Sequence, residues 1–155
     1  MSGPLARRDL RLAWSKDLAR SIDYLETRSD IDSSRLAYMG ISMGAAPAQI
    51  FLAVEKRLQA AVLIAGGFDP IMLEDPPEIQ PWNYAPRVQL PVLLIGTRND
   101  FIFPLETSQK PFFRMLGTPE AHKRHALFEG GHIGPIKDAI REILDWLDRY
   151  LGPVG

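Results

Sequence analysis

The sequence predicts an α/β protein, a parallel sheet of about four strands with helices on both faces. Two observations carry this prediction. Short apolar runs alternate with longer segments of helical periodicity, which is the pattern of strand and crossover helix. Three of the four apolar runs also end directly in loops bearing serine, aspartate or histidine, and open parallel sheets gather their chemistry beyond the carboxyl ends of the strands. The 155 residues form a single domain, 1–155, long enough to bury roughly 70% of the unfolded chain's surface.

Residues 9–28 place Leu10, Ala13, Leu18, Ile22 and Leu25 among charged residues, a spacing that predicts an amphipathic helix. After a polar turn, 35–41 is short and mostly apolar, as a strand covered on both faces should be. Residues 43–57 read as an Ala-rich helix, with Pro47 tolerated in its first turn. A second strand is predicted at 60–65. Five prolines within 69–87 exclude a long helix there and predict an irregular crossover with short helical turns. Residues 91–96 are the clearest strand. Pro104 opens a helix to about Leu116, with Gly117 as its stop. Residues 125–128 form the fourth strand, and 136–151 a final helix with Ile136, Ile140, Ile143, Leu144 and Leu147 on one face.

Apolar residues make up 46% of the chain and charged residues 24%, with a formal net charge of -1. The 18 basic and 19 acidic residues are interspersed, so no single-sign field favours nucleic acid or an anionic membrane as partner. The absence of cysteine excludes a disulfide scaffold, a thiolate nucleophile and a sulfur-ligated metal. No apolar run approaches ~20 residues, which excludes a membrane-spanning helix. Arg7 and Arg8 precede a run broken by Arg11, Lys16 and Asp17, which lacks the apolar core of a signal peptide. The expected location is cytoplasmic.

Gly40-Ile-Ser-Met-Gly44 matches Gly-x-Ser-x-Gly, where a serine sits on a sharp strand-to-helix turn and glycines relieve crowding. By composition the pattern arises in roughly one in twenty chains of this length, so it needs its context. The alternative is a helix N-cap serine. The preceding strand and following helix favour Ser42 as nucleophile. A serine hydroxyl needs an imidazole to take its proton, and His132, in Glu129-Gly-Gly-His-Ile-Gly134 after the last strand, is the best placed. His122 and His125 lie before or within that strand and read as structural. Asp100, after the third strand, is the candidate that orients the base. Asp69, after the second strand, is the reserve, although Pro70 beside it suggests a turn residue. The order serine, aspartate, histidine is that of the strand-elbow hydrolases.

These motifs, with Pro104 four residues after the acid and Gly130-Gly-His132, give a chain that resembles the C-terminal half of an α/β-hydrolase of the dienelactone-hydrolase or prolyl-oligopeptidase-like branch. The resemblance implies a truncated α/β-hydrolase fold and hydrolysis of carboxylic esters through an acyl-enzyme, with a small-molecule ester as substrate and no cofactor or metal. It also implies that the Met43 N–H donates to the oxyanion. The usual second donor lies in a part of the family fold, about four strands, that has no counterpart here. Losing one donor costs on the order of 100- to 1,000-fold in turnover. Phe68, Trp82, Phe101 and Phe103 are candidates for an apolar substrate pocket. A non-catalytic binding or assembly module and a peptidase-like acyl hydrolase are the alternatives. Leu36-Ala-Tyr-Met-Gly-Ile41 has neither charge nor proline to block an exposed edge, which predicts a homodimer through the strand 35–41.

Overall fold

Crossovers that all pass over one face of a parallel sheet, with the right-handed sense general to such connections, carry each strand to the same side of the last. This chain follows that rule. The structure, a computed structural model, describes residues 3–153. Its strands β1 (Ala37–Ile41), β2 (Ala60–Ile64), β3 (Val92–Thr97) and β4 (Lys123–Phe128) lie side by side in sequence order, all parallel. The helices are α1 (Pro4–Glu26), α2 (Ala48–Val54), α3 (Lys110–Met115) and α4 (Ile136–Leu151).

On one face, Ala61 and Leu63 of β2 and Val92 and Leu94 of β3 pack against Ile22 of α1, Leu52 of α2, Phe112 of α3 and Val88 of the crossover. On the other, Val62, Leu93, Ile95 and Ala126 meet α4 through Trp146, with Ile143 and Leu147 partly buried beside it. The central strands β2 and β3 are covered on both faces, whereas Met39 and Ile41 of β1 are 51% and 52% exposed. The predicted α/β layering therefore holds.

Several helices differ from expectation, each for a physical reason. The segment after Ser42 begins as a 3-10 turn (Ser42–Gly44), and α2 starts only at Ala48. Pro47 lacks the N–H that would bond back to Met43, so the helix restarts after it. The predicted helix at 104–116 opens as a π-helical turn, Leu105–Gln109, before α3. Pro111 again removes a helical bond, and a wide turn absorbs it. The crossover 70–87 consists of four 3-10 turns.

In α1, Ile22 is the one predicted apolar residue that is fully buried, while Ala13 is exposed. Arg7 and Arg11 are buried instead, with Arg7 paired to buried Asp75. In α4 the predicted face divides. Ile143 and Leu147 pack on the sheet, but Ile136, Ile140 and Leu144 are 66%, 47% and 55% exposed.

His125 on β4 lies 5.5 Å from the Phe113 ring, with Nε2 3.1 Å from Oε1 of Gln109. Burial, and secondarily the charge on Lys110, push its imidazole from 6.5 down to about 4. The unfolded chain therefore binds a proton that the folded chain refuses between those values, so stability rises with pH across that window. The contribution is complete above about 6.5 and is lost as pH falls through about 4. Urea unfolding midpoints should fall as pH is lowered from about 6.5 to about 4, and His125→Gln should show a smaller fall. An identical pH dependence would place the titration on other groups.

Candidate active site

At the carboxyl end of β1 the backbone departs from ordinary geometry, as it does again at Ala65 after β2. Ser42 has φ 50°, the left-handed region that costs a non-glycine residue about 1–3 kcal/mol and persists only where its surroundings impose it. Those surroundings are visible. A Cβ on Gly40 would lie 2.4 Å from the Gly44 carbonyl oxygen, so only glycine allows the chain to double back this tightly. The Tyr38 hydroxyl donates to that same carbonyl at 2.7 Å, and the N–H groups of Ala45 and Ala46 both donate to the Ser42 carbonyl at 2.9 Å. The turn thus holds the serine hydroxyl above the sheet.

His132 bridges the other two predicted residues. Its Nε2 is 2.8 Å from Ser42 Oγ, and its Nδ1 is 3.0 and 3.1 Å from the Asp100 carboxylate oxygens. The carboxylate accepts, so Nδ1 carries the proton and Nε2 is left to accept from the serine hydroxyl. Asp100 is 3% exposed and also accepts from the N–H groups of Ile102 (2.8 Å) and Phe103 (3.0 Å). These donors fix the direction of the carboxylate.

The acid and base loops are themselves joined. The Arg98 N–H donates to the Phe128 carbonyl at 2.9 Å and the Asn99 N–H to that of Gly130 at 3.3 Å, while the Thr97 hydroxyl donates to the carbonyl of Gly131. These bonds extend the pairing of β3 and β4 beyond the sheet and into the site.

The remaining candidates fall elsewhere. Asp69 accepts from the Ile71 N–H at 3.0 Å, which makes it the turn residue its neighbour Pro70 suggested. His122 meets the Tyr150 hydroxyl at 3.1 Å. Of the four aromatic residues proposed for a pocket, Phe101 is 78% exposed with its ring 6.3 Å from His132, and Phe103 is buried with its ring 5.9 Å from His132. Phe68 and Trp82 pack edge to face at 5.8 Å, and Phe68 also meets Phe112. Trp82 also packs against Ala46, Met72 and Phe103, the last of which lies beside His132.

An apolar hollow of about 240 Å³ lies instead on the other side of the elbow, lined by Trp14, Leu18, Tyr38, Met43, Gly44 and Phe51. Sequence reading missed it because it is shared by α1, β1 and α2. Among the described residues no cluster of His, Asp or Glu could hold a metal ion, and no helix is long and apolar enough to cross a membrane.

A parallel sheet with a serine on a strained elbow, and with an aspartate and a histidine following two later strands, defines an α/β-hydrolase domain. The chain belongs to the PET hydrolase-like family, whose profile matches residues 7–152. Over 146 residues it is 27% identical to a bis(hydroxyethyl) terephthalate hydrolase of Streptomyces coelicolor, covering 88% of this chain and 42% of that one. It is 29% identical over 149 residues to cutinase 2 of Thermobifida cellulosilytica, with 88% and 51% covered. The solved structure of a cold-adapted esterase from an Arctic intertidal metagenomic library superposes with a TM-score of 0.74 at 25% identity, over 90% of this chain and 59% of that chain. The α/β-hydrolase resemblance is thereby borne out, within the PET hydrolase-like family. The chain spans about half the length of the curated relatives it matches.

The elbow generates a direct test. Gly40→Ala must displace the Gly44 carbonyl, and overpacking of this kind costs about 1–3 kcal/mol. Its urea midpoint should fall accordingly, and a variant as stable as the parent would mean that the turn is looser than described.

Proposed function

We propose that the chain carries the nucleophile, base and acid of a serine esterase, with Ser42, His132 and Asp100 in those roles. The observation that carries this reading is the continuous hydrogen-bonded path from Ser42 Oγ through the His132 ring to the buried Asp100 carboxylate. In the reaction, Ser42 Oγ attacks the ester carbonyl while His132 Nε2 takes its proton, and Asp100 stabilises the resulting imidazolium. The Met43 N–H, next to the nucleophile, donates to the oxyanion. His132 returns the proton to the departing alcohol, and water attacks the acyl-enzyme by the reverse sequence. Relatives named for terephthalate esters and for cutin, together with the open Phe101 ring beside His132, support short or aromatic acyl esters as the substrate class.

The same reading includes a homodimer through β1. Leu36 accepts from the Gln59 N–H at the β2 side, so by strand alternation Ala37, Met39 and Ile41 direct their N–H and C=O groups away from the sheet. Hollows flank this edge, the second of them mixing apolar side chains with Asp30, Asp32, Arg35 and Asp148. One is that beside Trp14 and Phe51, and the other is lined by Ile31, Leu36, Leu144 and Leu147 among others. A two-fold copy pairing antiparallel along β1 would cover both and bring further N–H groups near Ser42.

Hydrolysis of p-nitrophenyl acetate and of bis(hydroxyethyl) terephthalate should vanish in Ser42→Ala, and a fluorophosphonate should label Ser42 alone. Activity that survives the substitution would end the esterase reading. His132→Ala and Asp100→Asn should each lower kcat steeply, yet add little in the Ser42→Ala background, because members of such a unit are not additive. For the assembly, sedimentation at micromolar protein should give a dimer, and Met39→Pro, which removes an outward N–H, should give a monomer. A soluble parental monomer, or a dimer indifferent to Met39→Pro, rules out this interface.

A further inference from the structure

We infer that Gln109 is a positioning residue for Asp100 and that, with Thr97, it fixes the acid loop and the base loop relative to each other. Gln109 is wholly buried, and its amide is fully engaged. Nε2 donates to the Thr97 carbonyl at 2.9 Å and to the Phe103 carbonyl at 2.7 Å. Those carbonyls stand three residues before and three residues after Asp100, so a single side chain holds both feet of the loop that presents the carboxylate. With both amide hydrogens so used, Oε1 faces His125 Nε2 at 3.1 Å, and the amide cannot turn over without losing all three bonds.

Two features of the chain exist around this side chain. The first is the space it fills. A Cβ on Gly96 would lie 1.9 Å from Gln109 Oε1, and one on Gly67 would lie 2.2 Å from Ser108 Oγ, whose hydroxyl donates to the Phe68 carbonyl at 2.8 Å. Two consecutive buried polar side chains thus seat on two glycines, one in β3 and one after β2.

The second is the π-helical turn Leu105–Gln109, in which the Gln109 N–H reaches back to the Pro104 carbonyl at 3.3 Å. Such turns add a residue to a helix and re-aim its side chains, often at functional sites. From the other side, the Thr97 hydroxyl donates to the carbonyl of Gly131, the residue before His132. The path Gln109, Thr97, Gly131 therefore links acid and base without touching either reacting atom.

The kinetic consequence rests on the esterase reading, whereas the structural one does not, and the test separates them. The 155-residue chain carries Gln109→Leu, Gln109→Glu or, as a near-isosteric second probe that spares the core, Thr97→Val. The nitrogen chemical shifts of the His132 ring report its tautomer, urea unfolding reports stability, and p-nitrophenyl acetate reports kcat and KM. In the parent the ring should be the Nδ1–H form. In each folded Gln109 variant it should become a mixture of tautomers, and kcat should drop about tenfold to a hundredfold with KM within about twofold, as small misplacements of a reacting group do. Thr97→Val should change the ring in the same direction. A folded Gln109 or Thr97 variant with the parental tautomer overturns the inference, whatever its stability. If the parent hydrolyses no ester, the esterase reading fails and the His132 ring shifts still decide this one.

Discussion

The register of four parallel strands is the constraint on which the rest of this structure depends. Because β1, β3 and β4 run the same way, their carboxyl ends deliver Ser42, Asp100 and His132 to one edge of the sheet. Paired residues step evenly from Gly40 and Leu63 through Leu94 to His125, and a shift of one residue in any pair would move every side chain of that strand to the opposite face, where its shape no longer matches its neighbours. The burial that fixes the register, in Leu63, Leu93, Leu94 and Val62, therefore also fixes the distances between the three loops. Packing in the core and geometry at the edge have the same cause.

What the strands leave unsettled, local polar bonds complete. An aspartate on a free loop would sample several rotamers and exchange its partners with water. Asp100 has no such freedom, since two backbone N–H groups and the His132 ring saturate its carboxylate within a buried site. At the serine the device is backbone strain, imposed where Gly40 and Gly44 approach each other and Tyr38 ties down the carbonyl. Strain and buried charge are each unfavourable alone. Here both sit beside the best-packed strands, which can hold them.

Much of this was legible in the sequence, and the misses have physical reasons. The strands are legible because buried parallel strands are apolar runs, and Ser42, Asp100 and His132 because each follows such a run. Periodicity describes the composition of a helix face and says nothing about its partner, which is why it groups the exposed Ile136, Ile140 and Leu144 with the half-buried Ile143 and Leu147. The same limit hid the burial of Arg7 and Arg11, which becomes intelligible only when Asp75 arrives from the crossover. Residue type marked Phe68 and Trp82 as apolar loop residues, but not that their rings would pack edge to face or that Phe68 would also meet Phe112. Gln109 and Thr97 carry no motif at all, and the one available signal was Pro111, which forces the turn that precedes it.

The exposed apolar residues are distributed unevenly, and the distribution separates two properties of the domain. Around β3 the polar groups of the site are paired and the strand is covered on both faces, whereas β4 forms the other, partly exposed edge. Along β1 and the outer stripe of α4, Met39, Ile41, Ile136, Ile140 and Leu144 face outward. The acid and base reach Ser42 from the side of β3 and β4, away from the exposed apolar edge of β1. Any polypeptide that buries the β1 edge would change the electrostatics at Met43 before it changed anything at Asp100.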